Sequence, residues 1–160
     1  MTEKLTVSVF GHRIIDDSQK VEQKLYELLR IIMSRGDREV EFLVGRNGDF
    51  DLMTASVVRR LKKELNAENV FLTLVLPYET AELRNNTEAF ENFYDSIEIS
   101  EASADKNFKF AITARNRDMI DRSDMVVVYV KNQSGGAYQS LRYAEKNEKK
   151  IVNLYYTQKR

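Results

Sequence analysis

The chain alternates short apolar runs with longer segments whose apolar residues recur at helical spacing. The apolar runs, each typical of a strand, are 5–10 (LTVSVF), 39–44 (EVEFLV), 70–76 (VFLTLVL), 124–130 (DMVVVYV) and 150–155. The helical segments are 17–35, 50–65, 108–122 and 138–147. Gly36 follows the first helical segment and is predicted to cap its C-terminus. The sequence therefore predicts helices interleaved with strands.

Residues 78–107 are the least regular part of the chain, and there the pattern predicts only a short helix at 87–93 and a short strand at 94–99. The run 124–130 is almost entirely apolar, which is typical of a strand buried on both faces. Alternating strands and helices favour parallel βαβ units joined by right-handed crossovers. We therefore expect one domain over 1–160 with an α/β fold: a doubly wound, mostly parallel, Rossmann-like three-layer sandwich.

Composition excludes several classes of protein. Lysine and arginine number 25, as do aspartate and glutamate, so the formal net charge is zero. This balance argues against nonspecific attraction to nucleic acid or anionic lipid, so neither nucleic acid nor a membrane is expected as a partner. The absence of cysteine and the single histidine exclude disulfides, thiolate nucleophiles and multi-histidine metal sites. With no signal peptide or apolar span of roughly 20 residues, a cytoplasmic protein is expected.

Glycines mark one edge of the predicted sheet. Gly11 follows the first strand, Gly45 and Gly48 follow the second, and Gly135 and Gly136 follow the run 124–130. In an open parallel sheet, ligands bind beyond the carboxyl ends of the strands, where glycine lets backbone amides approach an anion. Neither G-x-G-x-x-G nor G-x-x-x-x-G-K-[ST] is present, so a site for an anion or a nucleotide is predicted without either fingerprint.

His12 and Arg13 begin the loop after the first strand. No Ser-His-Asp or Cys-His spacing gives His12 a catalytic partner, so it is interpreted as a ligand contact or a pocket-shaping residue, with a plain loop residue as the alternative. Arg13 suits a phosphate, although a solvated arginine fits the sequence equally well.

Other polar and aromatic loop residues join the predicted site. Of Asp49 and Asp51, one is expected to cap the second helix and the other to bind a ribose hydroxyl, and the sequence leaves open which does which. Ser134, Gly135 and Gly136 precede a helix and form the best candidate for a phosphate cradle. Tyr78 and Tyr138 are placed either to stack on a base or to pack against the protein.

Five segments carry a resemblance to a known superfamily. They are VFGHR (9–13), VGRNGDFDLM (44–53), LVLPYE (74–79), ARNRDMIDRSD (114–124) and SGGAYQSLRYA (134–144). Together they resemble the SLOG superfamily, which includes the LOG phosphoribohydrolases and the DprA-type DNA-processing proteins, and within it the YpsA-like "TGHRP"-type branch. The resemblance implies a Rossmann-like fold and a pocket for a nucleotide or a nucleotide-derived ligand.

The LOG motifs match only in part. Arg115 and Met119 fit R-K-x-x-M, with Asn116 in place of the lysine, and the paired glycines at 135–136 also fit. The match implies that Arg115 and Asn116 bind the ligand. Because residues two apart on a helix diverge, Arg117 is then expected to pair with a carboxylate such as Asp118 or Asp121. Residues 138–142 (YQSLR) depart from the pattern, because leucine and arginine stand where its glutamates fall. LOG-type catalysis therefore lacks its carboxylate.

Three functions remain open on the sequence. The first is a sensor or regulatory module for a nucleotide-derived ligand such as ADP-ribose or a nucleoside monophosphate. The second is a LOG-like phosphoribohydrolase with Arg115 in its active site, and the third is a DprA-like DNA-handling module. The first is preferred, so catalysis is not expected, no cofactor is implied, and a homodimer is compatible with the sequence.

Overall fold

Six parallel strands form one sheet in the computed structural model, which describes residues 3–104 and 107–156. The strands are β1 Glu3–Gly11, β2 Arg38–Val44, β3 Val70–Leu76, β4 Ser96–Ile99, β5 Met125–Tyr129 and β6 Lys150–Asn153. Their order is β4-β3-β2-β1-β5-β6, and Val7 of β1 is in register with Phe42 on one side and Met125 on the other. The predicted α/β class and parallel sheet are confirmed.

Helices cover both faces of the sheet. They are α1 Ser18–Ser34, α2 Asp49–Glu64, α3 Ala81–Asn85, α4 Thr87–Phe93, α5 Phe108–Asp121 and α6 Gly136–Lys146, with a 3₁₀ turn at Glu101–Ser103. Helix α1 packs beside α2, and α5 packs beside α6. Val127 joins the core with residues of α1 and α2, whereas its neighbours Val126 and Val128 join the core of α5 and α6. This double burial explains the unbroken apolar run of β5.

Two details of the helices differ from the predictions. Gly36 does not cap α1, because the helix ends at Ser34 and Arg35 continues in extended backbone, with no left-handed residue at Gly36. Helix α3 was not predicted, because it buries no side chain and so shows no apolar periodicity. It begins where the Thr80 side chain accepts a hydrogen bond from the backbone N–H of Leu83 at 3.1 Å.

The winding of the chain creates a crevice between β1 and β5. From β1 the chain proceeds outward through β2 and β3 to β4, and it then returns to the other side of β1 to form β5 and β6. The loops after β1 and β5 therefore diverge to opposite faces, which opens the carboxyl edge at this point. In residues 3–104 and 107–156, no helix has the length and apolar character needed to cross a membrane.

Candidate functional site

A cavity of about 390 Å³ opens at the carboxyl edge of the sheet, between the loops after β1 and β2 and the helices α5 and α6. Its volume lies within the range of small-molecule sites. Eight of the predicted site residues line it: Gly11, His12, Arg13, Gly45, Arg115, Asn116, Gly135 and Gly136. The other five, Gly48, Asp49, Tyr78, Ser134 and Tyr138, do not. We call this space the strand-end cavity.

Arg115 is the most unusual residue of the cavity wall. It is only 2% exposed, and burial lowers the pKa of its guanidinium. Its Nη1 donates to the carbonyl of Val75 at 2.7 Å and its Nε to Oδ1 of Asn116 at 2.8 Å. Among the described residues, no carboxylate lies within ion-pair distance of it and no hydrogen bond uses its Nη2. An arginine remains charged at neutral pH, so the cavity wall holds a buried cation that the Asp51 charge influences but does not pair with directly.

Asp51 is the carboxylate of the cavity wall. Its Oδ2 accepts a hydrogen bond from the backbone N–H of Asn47 at 2.9 Å, and burial raises its pKa while the Arg115 charge opposes the rise. A Cβ on Gly45 would lie 3.1 Å from both Asp51 Oδ2 and Arg115 Nη1, so this glycine lets both groups approach the same point of the backbone.

Asp49 does not line the cavity but links the loop after β1 to the loop after β2 through hydrogen bonds. Its Oδ2 accepts from the backbone N–H of Ile15 at 3.1 Å, and its own N–H donates to the carbonyl of Arg13 at 2.8 Å. The prediction that Asp49 or Asp51 caps α2 is wrong, because the helix begins after Gly48 without a side-chain cap. Both carboxylates bind backbone amides of loops, which satisfy them as well as a helix terminus would.

His12 braces the loop after β5. Its Nε2 accepts hydrogen bonds from the backbone N–H groups of Lys131 at 2.8 Å and Asn132 at 3.2 Å, and its ring meets Tyr129 edge-on at 6.1 Å. An accepting Nε2 requires the neutral imidazole. Burial, and then the charge of Lys131, lower the pKa of His12. The lone pair that a general base needs is already used, so the geometry favours a pocket-shaping residue over a catalytic one.

The His12 brace predicts a dependence of stability on pH. In the unfolded chain the imidazole is protonated below about 6.5, whereas the lowered pKa keeps it neutral in the folded protein. The free energy of unfolding is therefore expected to fall as the pH drops through the interval between these two pKa values. Urea unfolding from pH 7.5 to pH 5 would measure it, with His12→Gln as the control that keeps an acceptor and does not titrate. If the free energy of unfolding falls equally steeply with decreasing pH in the unchanged protein and in His12→Gln, this role of His12 is contradicted.

The N-terminus of α6 faces the same cavity. Gly135 adopts φ +94°, a left-handed conformation that suits glycine, and it precedes the helix without any side-chain cap. The backbone N–H groups of Gly136 and Ala137, which both line the cavity, have no acceptor among the described residues. Free amides at the positive end of a helix are suited to an anion. Ser134 stays exposed outside this wall.

Arg13 lies at the mouth of the cavity. Its side chain is exposed and has no hydrogen bond or ion pair within the described part of the chain. Gly48 lies behind it, where a Cβ would come 2.4 Å from Cα of Arg13. Gly48 therefore supports the site by close packing of two loops and does not line it.

Aromatic residues lie beside the cavity. Tyr78 packs against Phe108 with ring centroids 4.8 Å apart, and Phe108 is 71% exposed at the start of α5. Tyr78 lies close enough to Arg115 to affect its pKa. Tyr138 instead packs against the core under α6, which accounts for its aromatic character without a ligand.

The remaining wall could not be foreseen from the sequence. Ile112, Met119 and Ser140 line the cavity from α5 and α6, and as helix-face residues they are indistinguishable from core residues in the sequence. Arg117 lies over the ring of Tyr143 at 4.9 Å and not against a predicted carboxylate. The described residues contain no group of three or more potential metal ligands.

No family model and no curated protein matches the sequence. Among solved structures, the chain is similar to DNA processing protein A (DprA) from Streptococcus pneumoniae, with a TM-score of 0.67 and 13% identity over 92% of this chain and 49% of that one. It is also similar to DNA processing protein A from Helicobacter pylori, whose structure describes a single-stranded DNA binding mode, with a TM-score of 0.60 and 19% identity over 92% and 63% of the two chains.

These comparisons show a shared Rossmann-like α/β fold, and the chain spans less than two thirds of either neighbour. The narrower YpsA-like assignment stays a prediction. The expectation that excludes nucleic acid as a partner is contradicted, because a protein of this fold binds single-stranded DNA. Net charge is summed over the whole surface, whereas a nucleic acid contacts one face, so zero net charge is compatible with a cationic site.

Proposed function

We propose that the strand-end cavity binds a phosphate of single-stranded DNA. The observation that carries the proposal is Arg115, a buried guanidinium with no direct ion pair among the described residues, in the wall of an open cavity. Burying a charge without a directly bonded counter-ion costs free energy, and the Asp51 charge offsets that cost only without direct contact. A ligand phosphate would add a directly bonded negative charge and accept from Nη2, which makes no hydrogen bond within the described residues.

Two further groups of donors converge on the same cavity. The free amides of Gly136 and Ala137 lie at the positive end of α6, and Arg13 offers an unpaired guanidinium at the mouth. Arginine side chains and helix N-termini are the usual protein contacts to nucleic-acid phosphates. The cavity volume of about 390 Å³ has room for one nucleotide.

The surroundings favour a single strand. Phe108, exposed beside Tyr78, provides an aromatic face on which an unpaired base can stack. Cationic grooves flanked by aromatic side chains are typical of proteins that bind single strands without sequence preference. The fold that this chain shares with a protein that binds single-stranded DNA supports the same choice.

Arg13→Ala tests the proposal with little risk to the fold, because the Arg13 side chain is exposed. The affinity of Arg13→Ala for a fluorescent single-stranded oligonucleotide is expected to fall about tenfold, because an exposed charge-assisted hydrogen bond contributes at the lower end of the usual range, roughly 1.5 kcal/mol. The dependence of log K on log salt should also become shallower by about one unit or less. Fluorescence anisotropy at several salt concentrations measures both effects.

Lys63→Ala is the matched control, because it removes one exposed cation from a basic groove at the far end of α2. In that groove Arg60 pairs with Glu22 at 3.0 Å and Lys62 with Asp95 at 2.7 Å, so much of its charge is already neutralised. A loss of DNA binding in Lys63→Ala but not in Arg13→Ala would place the DNA on that groove and refute the proposed site.

A free nucleotide-derived ligand is the second candidate. Asp51 and Asn116 both line the cavity, and a carboxylate beside an amide is suited to ribose hydroxyls, one of which DNA lacks. Calorimetry with AMP and ADP-ribose distinguishes the two. Binding of AMP that is tighter than that of the oligonucleotide and is lost in Asp51→Asn would favour this second function.

A further inference from the structure

A row of aromatic rings leads from the strand-end cavity to a second exposed surface. His12, in the cavity wall, contacts Tyr129 at 6.1 Å, Tyr129 contacts Tyr155 at 6.0 Å, and Tyr155 contacts Tyr156 at 5.0 Å between ring centroids. Tyr155 is 41% exposed and Tyr156 is 71% exposed. We call these last two residues the tyrosine surface. It lies on the β5–β6 side of the cavity, whereas Tyr78 follows β3 on the other side.

The turn that carries the tyrosine surface is firmly anchored. Leu154 is 1% exposed, its N–H donates to the carbonyl of Val128 at 2.9 Å, and its carbonyl accepts from Nζ of Lys24 at 3.1 Å. Asn153 Oδ1 accepts from the N–H groups of Val130 at 3.2 Å and Tyr155 at 3.1 Å. The burial of Leu154 and the hydrogen bonds of Asn153 thus hold the two tyrosines in place at the surface. Aromatic rings that are fixed in this way before binding are suited to stacking.

The charges around Tyr129, which joins the cavity to the tyrosine surface, bear on what this surface binds. Burial raises the pKa of the Tyr129 phenol, the charge of Lys131 opposes the rise, and nearby Asp16 and Asp17 add to it. Lys131, on the same side, is paired with Asp16 at 3.3 Å. With Lys24 and Lys131 as well as Asp16 and Asp17 nearby, this surface has no concentrated positive charge for a phosphate, whereas a neutral planar base needs none. The cavity and the tyrosine surface therefore differ in the ligand chemistry that they favour.

We propose that Tyr155 and Tyr156, whose ring planes cross at 77°, hold the base next to the nucleotide whose phosphate occupies the strand-end cavity, with one ring stacked on its face and the other against its edge, an inference that rests on the proposed function. Two ring contacts, His12–Tyr129 at 6.1 Å and Tyr129–Tyr155 at 6.0 Å, separate this surface from the cavity, so we expect the base of a neighbouring nucleotide to reach it and not that of the nucleotide in the cavity. The single strand would then cross the carboxyl edge of the sheet toward β6. Base–aromatic stacking tolerates any sequence, so no strong base preference is expected.

The test compares 5′-phosphorylated deoxyadenosine oligonucleotides of one, two and four residues. In the unchanged protein, affinity should rise roughly tenfold from the mononucleotide to the dinucleotide, the size of effect that one stacked base contributes. In Tyr155→Leu/Tyr156→Leu that increase should be lost while mononucleotide affinity stays the same. The double variant Tyr155→Phe/Tyr156→Phe should retain the increase, because it keeps both rings. Leucine keeps the apolar character, and melting temperatures verify that each variant folds.

Ile31→Ala is the matched control, since Ile31 is 74% exposed on α1 and distant from the sheet edge in question. The chain contains eight tyrosines and no tryptophan, so quenching of tyrosine fluorescence gives a second readout of stacking. Suppose that the oligonucleotides bind and that Arg13→Ala weakens their binding, but that Tyr155→Leu/Tyr156→Leu keeps the full gain in affinity from mononucleotide to dinucleotide. The stacking surface is then refuted, whereas the phosphate site is supported. If no oligonucleotide binds the unchanged protein, the proposed function fails and the inference fails with it.

Discussion

Replacing Arg115 by methionine is expected to lower the affinity for phosphate-bearing ligands about 100-fold, because truncating a buried charged partner costs roughly 2–5 kcal/mol of binding. The same change should alter the free energy of unfolding by less than about 2 kcal/mol. Methionine fills a similar volume and removes a buried charge that has no direct ion pair, which offsets the lost hydrogen bonds to Val75 and Asn116. A substitution at this position should therefore reduce ligand affinity strongly while it changes the free energy of unfolding little.

Anisotropy with the oligonucleotide and urea unfolding measure the two quantities on the same protein. Arg115→Lys is the informative companion, because it keeps a positive charge but loses the planar fork, so it should retain only part of the affinity. Unchanged binding in Arg115→Met would show that this guanidinium does not meet the ligand. A loss of stability well above 2 kcal/mol would show that Arg115 is held for the fold and not for a ligand.

Gly11→Ala is expected to destabilise the fold by about 3 kcal/mol, at the upper end of the usual cost of overpacking. A Cβ at Gly11 would lie 2.3 Å from Cγ and 2.5 Å from Cβ of Phe50, which is fully buried. Phe50 also stacks on Tyr129 at 6.2 Å, so it cannot yield without disturbing the end of β5. Because Gly11 itself lines the cavity, ligand affinity should fall together with stability.

Gly36→Ala is the matched control for this glycine. A Cβ there would meet nothing within 4 Å, and the backbone is not left-handed. Alanine should leave stability unchanged or raise it by about 0.5 kcal/mol, through the entropy of the unfolded chain. Urea unfolding gives the free energy of unfolding of both variants, and the midpoints can be compared directly if the dependence on urea is equally steep. A Gly11→Ala protein as stable as Gly36→Ala would show that Phe50 can repack.

The sheet could be predicted from the sequence because its strands are buried, and a buried strand is a short run of apolar residues. The run that became β5 is apolar throughout since helices cover both of its faces. The glycines at 11, 45, 135 and 136 revealed the cavity for a related reason, since backbone must come close to backbone or to a ligand where parallel strands end.

The sequence could not distinguish residues of the same chemistry that differ only in orientation. Asp49 and Asp51 stand two residues apart at the start of α2, yet one binds the amide of Ile15 and the other that of Asn47 in the cavity wall. Tyr138 follows the glycines as a base-stacking residue would, but its ring packs on the core. Conversely, Tyr155 was expected within the last strand, and its display at the surface depends on a turn that Asn153 stabilises.

The walls of the strand-end cavity come from segments near residues 10, 48, 115 and 137. These segments are far apart in the chain, so the cavity does not exist in the unfolded polypeptide. Any molecule that fits the cavity must therefore bind the native state alone and shift the folding equilibrium toward it. At a hundredfold excess over its dissociation constant, such a molecule would add about 2.7 kcal/mol to the stability of the whole domain. The melting temperature of the protein thus reports on the correct ligand before its chemistry is known.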